Sequence, residues 1–305
     1  MLAPDDLRPR LRTVLAFPIT PFTADDRVDL AGFRANLRDL AGAGYRGLVV
    51  AGGTGELYSL TPDECDALYR AAADEVGDRL TIVAGVGGSV AVARDLARRA
   101  EAAGCHGILI LPPAYGTCEQ EGLYRYYAAV AGATALGVFP YARGLAIPTP
   151  ALLARLAEIP NVVAFKDGHG DLRLWQRLRE RVGPESGLVW LAGMGDDLVV
   201  PYFAAGAEGF TSSVANYDPR TPLDLFRLAS AGRFAEAERL LRERGVYAAY
   251  DLRARKRGHE VSVVKAALEL LGRPAGPVRP LLLPLTADER EELRAIVARL
   301  PAAVA

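Results

Sequence analysis

Val162-Val163-Ala164-Phe165-Lys166 is a short apolar run that ends on a cation, and Asp167-Gly168-His169-Gly170-Asp171 follows it at once. The run is continuous rather than alternating, which suits a strand covered on both faces in a parallel sheet. The glycine-rich turn then delivers Asp171, a helix-capping residue, ahead of a helical stretch reaching residue 181. The unit reads as strand, turn and helix, with a lysine at the strand's end.

The same unit recurs along the chain. Apolar runs lie at 13–19, 47–51, 80–85, 107–111, 136–141, 162–166, 188–192 and 208–212. Between them stand readable helix starts: Asp29, Ser89, Thr149-Pro150, and Thr61-Pro62-Asp63-Glu64 with its capping threonine and the glutamate that completes a capping box. Eight such strands leave two architectures. A doubly wound open sheet wants a GxGxxG after its first strand, and none is there; no Walker sequence occurs either. The count and length favour an α/β chain folded as a (β/α)8 TIM barrel. Past residue 230 the strand signal stops, and 234–245, 260–272 and 286–300 read as helices. The expected division is a barrel over 1–232 and a small C-terminal helical segment over 233–305.

Composition narrows the function. Half of the 305 residues are hydrophobic and 24% are charged, a globular mixture with ample core. The net charge of −1 gives no electrostatic reason to expect nucleic acid or an acidic membrane as partner. No apolar run approaches the ~18 residues that span a bilayer, and the start lacks a secretion signal. Cys65, Cys105 and Cys118 are odd in number and form no CxxC, as expected of reduced thiols in the cytoplasm. His106, His169 and His259 are far apart, so no zinc or iron site is expected.

In a barrel, reactive groups sit where strands end. Those positions hold Ala51-Gly52-Gly53-Thr54-Gly55-Glu56, Leu111-Pro112-Pro113-Ala114-Tyr115, Phe139-Pro140-Tyr141-Ala142-Arg143, Lys166, Gly193-Met194-Gly195-Asp196-Asp197 and Thr211-Ser212-Ser213. Lysine is scarce here: Lys166, Lys256 and Lys265 are three among 36 basic residues. Unlike arginine, lysine can lose its proton and attack a carbonyl. An exposed lysine is neutral in less than about one part per thousand at pH 7. Destabilising its ammonium by roughly 4 kcal/mol makes the neutral amine common, and burial in an apolar barrel can do that. The glycine loop lets backbone N–H groups approach an anion, with Thr54 adding a hydroxyl. Tyr141 is a proton carrier in reach of the amine. Taken singly, each has a plainer reading: a tight turn at Gly53-Thr54, packing at Tyr141, a solvated Arg143, a core lysine reaching for water. Together at one barrel mouth they suit Schiff-base chemistry on a 2-oxo acid, which needs no cofactor and no metal.

These residues also resemble a known family. Phe17-Pro18-Ile19-Thr20-Pro21-Phe22, Gly52-Gly53-Thr54-Gly55-Glu56, the Tyr115 loop with Gln120-Glu121-Gly122-Leu123, Tyr141, Lys166, Gly195-Asp196-Asp197, Val264-Lys265-Ala266-Ala267-Leu268 and Arg279-Pro280-Leu281 resemble the dihydrodipicolinate synthase/N-acetylneuraminate lyase superfamily. The resemblance runs in order over nearly the whole chain. It implies a Schiff-base lysine at Lys166, a relay tyrosine at Tyr141, and a homotetramer built as a dimer of dimers in which Tyr115 reaches a neighbouring subunit's site. Within the superfamily, Ala84-Gly85-Val86-Gly87, Phe165-Lys166-Asp167-Gly168 and Ser212-Ser213 are most similar to the 5-dehydro-4-deoxyglucarate dehydratases. Gly53 stands where the lysine-pathway synthases carry the first of two threonines, and Arg143 follows Tyr141 more closely than their aldehyde-binding arginine does.

The resemblance implies removal of water and carbon dioxide from a six-carbon keto-diacid, giving 2,5-dioxopentanoate. Lys166 is then the nucleophile and Tyr141 the relay. Gly53 and Thr54 form the carboxylate cradle, Arg143 a clamp for the far carboxylate, and Ser212 a hydroxyl toward substrate or water, with Tyr115 and Gly193 completing the pocket. Two other readings stand beside it: a pyruvate-dependent aldolase of the same superfamily, and a barrel that binds a metabolite without turnover.

Overall fold

The computed structural model describes residues 2–113 and 118–300. Eight parallel strands close into one barrel in sequence order: β1 Val14–Ala16, β2 Gly47–Val50, β3 Thr81–Val86, β4 Gly107–Ile110, β5 Gly137–Ala142, β6 Ala164–Asp167, β7 Val189–Ala192 and β8 Gly209–Ser212. All eight fall within or beside the apolar runs, because a barrel strand is covered inside and out and so needs no polar face. After each strand comes a helix: α1 Leu30–Gly42, α2 Pro62–Val76, α3 Val90–Ala102, α4 Gln120–Ala131, α5 Pro150–Ala157, α6 Leu172–Val182, α7 Val199–Ala204 and α8 Arg220–Ser230. Four more follow, α9 Phe234–Glu243, α10 Val246–Ala254, α11 His259–Leu270 and α12 Ala287–Val297. Val246–Ala254 is a helix the sequence reading did not contain.

The expected caps are built. Asp29 accepts from Gly32 N at 2.9 Å, Asp171 from Arg173 N at 2.9 Å, and Thr61 and Glu64 complete a reciprocal capping box. Each cap fixes where a βα loop stops and its helix begins.

Two apolar layers hold the barrel. Helices and outer strand faces share one large cluster, in which Phe165, Trp190, Trp175 and Tyr202 pack edge to face at centroid distances of 5.1–5.7 Å behind β6. Inside, Leu15, Val49, Val83, Leu109, Phe139, Val189 and Leu191 fill the bore, and Leu7 and Leu11 from the N-terminal turns plug its lower end. The lower bore is therefore packed shut, and the cavity opens only toward the strands' C-terminal ends.

Candidate active site

Register decides what faces that cavity. Tyr141 on β5 pairs with Lys166 on β6, which pairs with Leu191 on β7. Paired residues share a face, and Tyr141 and Leu191 belong to the interior cluster, so Lys166 points inward. Its side chain is 3% exposed. The amine lies over the Tyr141 ring, 3.4 Å from the centroid, and 5.0 Å from that of Phe17. No carboxylate of the described residues pairs with it. Burial, helped by the positive charge of Arg143, holds Lys166 well below the ordinary lysine range. Asp167 is adjacent in sequence but points elsewhere: its carboxylate accepts from His169 N at 3.2 Å, Gly170 N at 3.4 Å and the Tyr202 hydroxyl.

Two glycines make room for the pair. A Cβ at Gly193 would stand 2.6 Å from both Cγ and Cε of Lys166, and one at Gly168 would stand 2.5 Å from the Tyr141 ring. Burial pushes the Tyr141 phenol up to about 12, opposed by Arg143, so at neutral pH it keeps its proton and can donate it.

Across the bore, the loop after β2 is held in a strained form. Ala51 and Glu56 both take left-handed backbone, φ 51° and 58°. Thr20 Oγ1 donates to Gly55 O at 2.7 Å, and Glu56 N donates back to Gly53 O at 3.1 Å. The N–H groups of Gly53 and Thr54 donate to nothing among the described residues. Glu56 itself is turned away into a buried ion pair with Lys265 of α11 at 2.6 Å. Lys265 Nζ also donates to Pro277 O at 2.8 Å, and Arg279 N donates to Glu56 Oε2 at 3.2 Å. The C-terminal segment thus fixes the loop whose Gly53 and Thr54 line the cavity.

A single cavity of about 870 Å³ is lined by Lys166, Tyr141, Gly53, Thr54, Arg143 and Gly193, among others. Six residues expected from widely separated positions therefore meet at one mouth. A model of the "Dihydrodipicolinate synthetase family" matches residues 10–300. The chain belongs to the dihydrodipicolinate synthetase family. A "Probable 5-dehydro-4-deoxyglucarate dehydratase" of Saccharopolyspora erythraea is 41% identical over 303 residues, covering 98% of this chain and 97% of its own. One of the same description from Ralstonia nicotianae is 41% identical over 94% of this chain and 92% of its own. Among solved structures, dihydrodipicolinate synthase from Oceanobacillus iheyensis superposes with a TM-score of 0.92 at 26% identity, covering 97% and 98% of the two chains. The Agrobacterium tumefaciens synthase reaches 0.86 at 33% identity, covering 97% and 100%.

Not every expected residue of this dihydrodipicolinate synthetase family member reaches the cavity. Ser212 is wholly buried: its hydroxyl donates to Asp196 Oδ1 at 2.5 Å and accepts from Ala215 N at 3.0 Å. The next residue, Ser213, lines the wall instead. Tyr115 lies outside the described residues. Arg143 reaches across the mouth, donating to Gly168 O at 3.2 Å, with Nη2 3.8 Å from Glu260 of α11. Among the wall residues that escaped the sequence reading are Tyr250 and Arg253 of α10, and Glu260. They come from helices after the barrel, where a search of strand ends does not look. Tyr250 donates to Asp196 Oδ2 at 2.9 Å, and Arg253 to Ser213 Oγ at 2.9 Å.

Proposed function

We propose that this chain is a Schiff-base hydro-lyase of a sugar-derived keto-diacid, a 5-dehydro-4-deoxyglucarate dehydratase that also decarboxylates, releasing 2,5-dioxopentanoate. The observation that carries the reading is the unpaired, buried Lys166 amine beside the Tyr141 phenol, in a chain whose curated relatives bear that dehydratase name over nearly full length.

The chemistry follows from what each group can do. The neutral Lys166 amine attacks the ketone, and Tyr141 delivers a proton to the oxygen that leaves as water, giving the protonated imine. The imine draws electrons from the neighbouring carbon, which loses a proton; hydroxide then leaves the carbon beyond. Carbon dioxide then departs from the far carboxylate, its bonding electrons passing through the new carbon–carbon double bond into the same imine, while the carboxylate beside the imine stays. Reprotonation and hydrolysis release the aldehyde and restore the lysine. The net change is one keto-diacid to one 2,5-dioxopentanoate, one water and one carbon dioxide. The Gly53 and Thr54 N–H groups suit the carboxylate beside the ketone, Gly193 leaves space for the lysine stem, and Arg143 meets polar groups at the mouth. Resemblance to the superfamily supports a homotetramer, and free Cys65, Cys105 and Cys118 support a reducing cytoplasm.

Supplying the keto-diacid and measuring carbon dioxide together with 2,5-dioxopentanoate tests the reading; equal amounts are expected. Pyruvate release without 2,5-dioxopentanoate, or turnover only of pyruvate with an added aldehyde, identifies an aldolase instead.

A further inference from the structure

Two arginines line the cavity, and their surroundings differ. Arg143, on the β5 side of Lys166, is already engaged by Gly168 O, by Met194 Sδ at 3.5 Å and by the Glu260 carboxylate. Arg253 lies on the other side, beside Ser213 just past β8 and against Tyr250, which itself bonds Asp196 of the loop that follows β7. It is half-buried, and no carboxylate of the described residues lies within ion-pair distance. Its one hydrogen bond among those residues is from Nη1 to Ser213 Oγ, and its guanidinium stacks 4.2 Å from the Tyr250 ring centroid.

That ring is itself fixed. Tyr250 donates to Asp196 Oδ2 and accepts from Asp196 N at 2.8 Å, while Ser212 holds the other carboxylate oxygen. Arg253 is thus a cation held in place from below, with four of its five N–H donors unspent, on the wall of a cavity. A partly desolvated guanidinium calls for an anion, and the fork geometry suits a carboxylate. The cradle after β2 takes the carboxylate beside the ketone, so a second anion site in the same cavity suits a diacid.

We infer that Arg253, positioned by Ser213 and Tyr250, binds the distal carboxylate of the substrate and selects diacids over monoacids. This rests on the Schiff-base reading above. It also places the far end of the substrate toward β7 and β8 rather than at Arg143, where the sequence pointed.

Reductive trapping with borohydride tests it without requiring turnover. The probes are 2-oxoadipate and 2-oxohexanoate, six-carbon 2-oxo acids with and without the distal carboxylate. For the wild type, half-saturation is expected at a lower concentration of the diacid. Arg253→Gln is expected to shrink that preference about 10- to 100-fold, as losing a charge-assisted pair does. Arg253→Lys is expected to restore part of it, and Arg143→Gln to leave the ratio of the two probes near that of wild type. An unchanged ratio in both Arg253 variants overturns the inference, as does a preference lost in Arg143→Gln and kept in Arg253→Gln. Absence of any adduct in the wild type overturns the Schiff-base reading and this inference with it.

Discussion

The Lys166 amine stands over the face of the Tyr141 ring, 3.4 Å from its centroid, rather than beside its hydroxyl. Ring and hydroxyl are therefore separable: the ring covers the amine, and in the proposed reaction the hydroxyl moves protons. Tyr141→Phe keeps the first and deletes the second. We expect kcat on the keto-diacid to fall about 10²- to 10⁴-fold, with the borohydride adduct still forming. A kcat within a few-fold of wild type contradicts the relay role.

Gly193 controls where the lysine lies. Gly193→Ala sets a methyl 2.6 Å from Cγ and Cε of Lys166 and 2.8 Å from the Asp167 carbonyl, so the stem must shift. A displacement of that kind costs roughly 10²-fold in kcat/KM. Steady-state kinetics check it, with circular dichroism showing an intact fold. Unaltered kinetics mean that the lysine does not depend on this clearance.

Burial of Lys166 has a signed effect on stability. In the unfolded chain the amine keeps its proton up to about pH 10.4. In the fold it gives that proton up well below its ordinary range. Between the two pKa values the unfolded state binds the extra proton, so the lysine destabilises the fold there, and less so as pH rises. Lys166→Met is expected to melt above wild type at pH 7, with the margin closing toward pH 10. Thermal melts across that range decide it; a variant no more stable at pH 7 argues against a desolvated amine.

The other buried lysine has a carboxylate partner. Lys265 and Glu56 are 3% and 0% exposed and paired at 2.6 Å. Removing one partner strands a charge, so Lys265→Met is expected to cost about 3–5 kcal/mol in denaturant unfolding. Adding Glu56→Gln should recover part of the loss. If Lys265→Met is neutral, the pair does not anchor the glycine loop.

The strands were legible because each is apolar on both faces, and the caps because Thr61, Glu64 and Asp171 act locally. The glycine loop and the lysine were legible as cavity residues because they sit at strand ends, where barrel chemistry collects. Ser212 was misplaced toward the substrate because neighbouring residues at a strand's end face opposite ways, and register is not written in a three-residue motif. Val246–Ala254 hid because both Tyr247 and Tyr250 and the buried Val246, Ala249 and Leu252 leave no clean polar face. Arg253 is followed by Arg255, Lys256 and Arg257, so it reads as one of a solvated basic run; only the fold sets it on the cavity wall.

The central claim is a covalent one, and three lysines make its test clean. The protein is incubated with pyruvate, reduced with borohydride, digested and mapped by mass. The account predicts one adduct, on the peptide carrying Lys166, absent in Lys166→Ala. An adduct on Lys256 or Lys265 instead, or none on the folded wild-type protein, contradicts it.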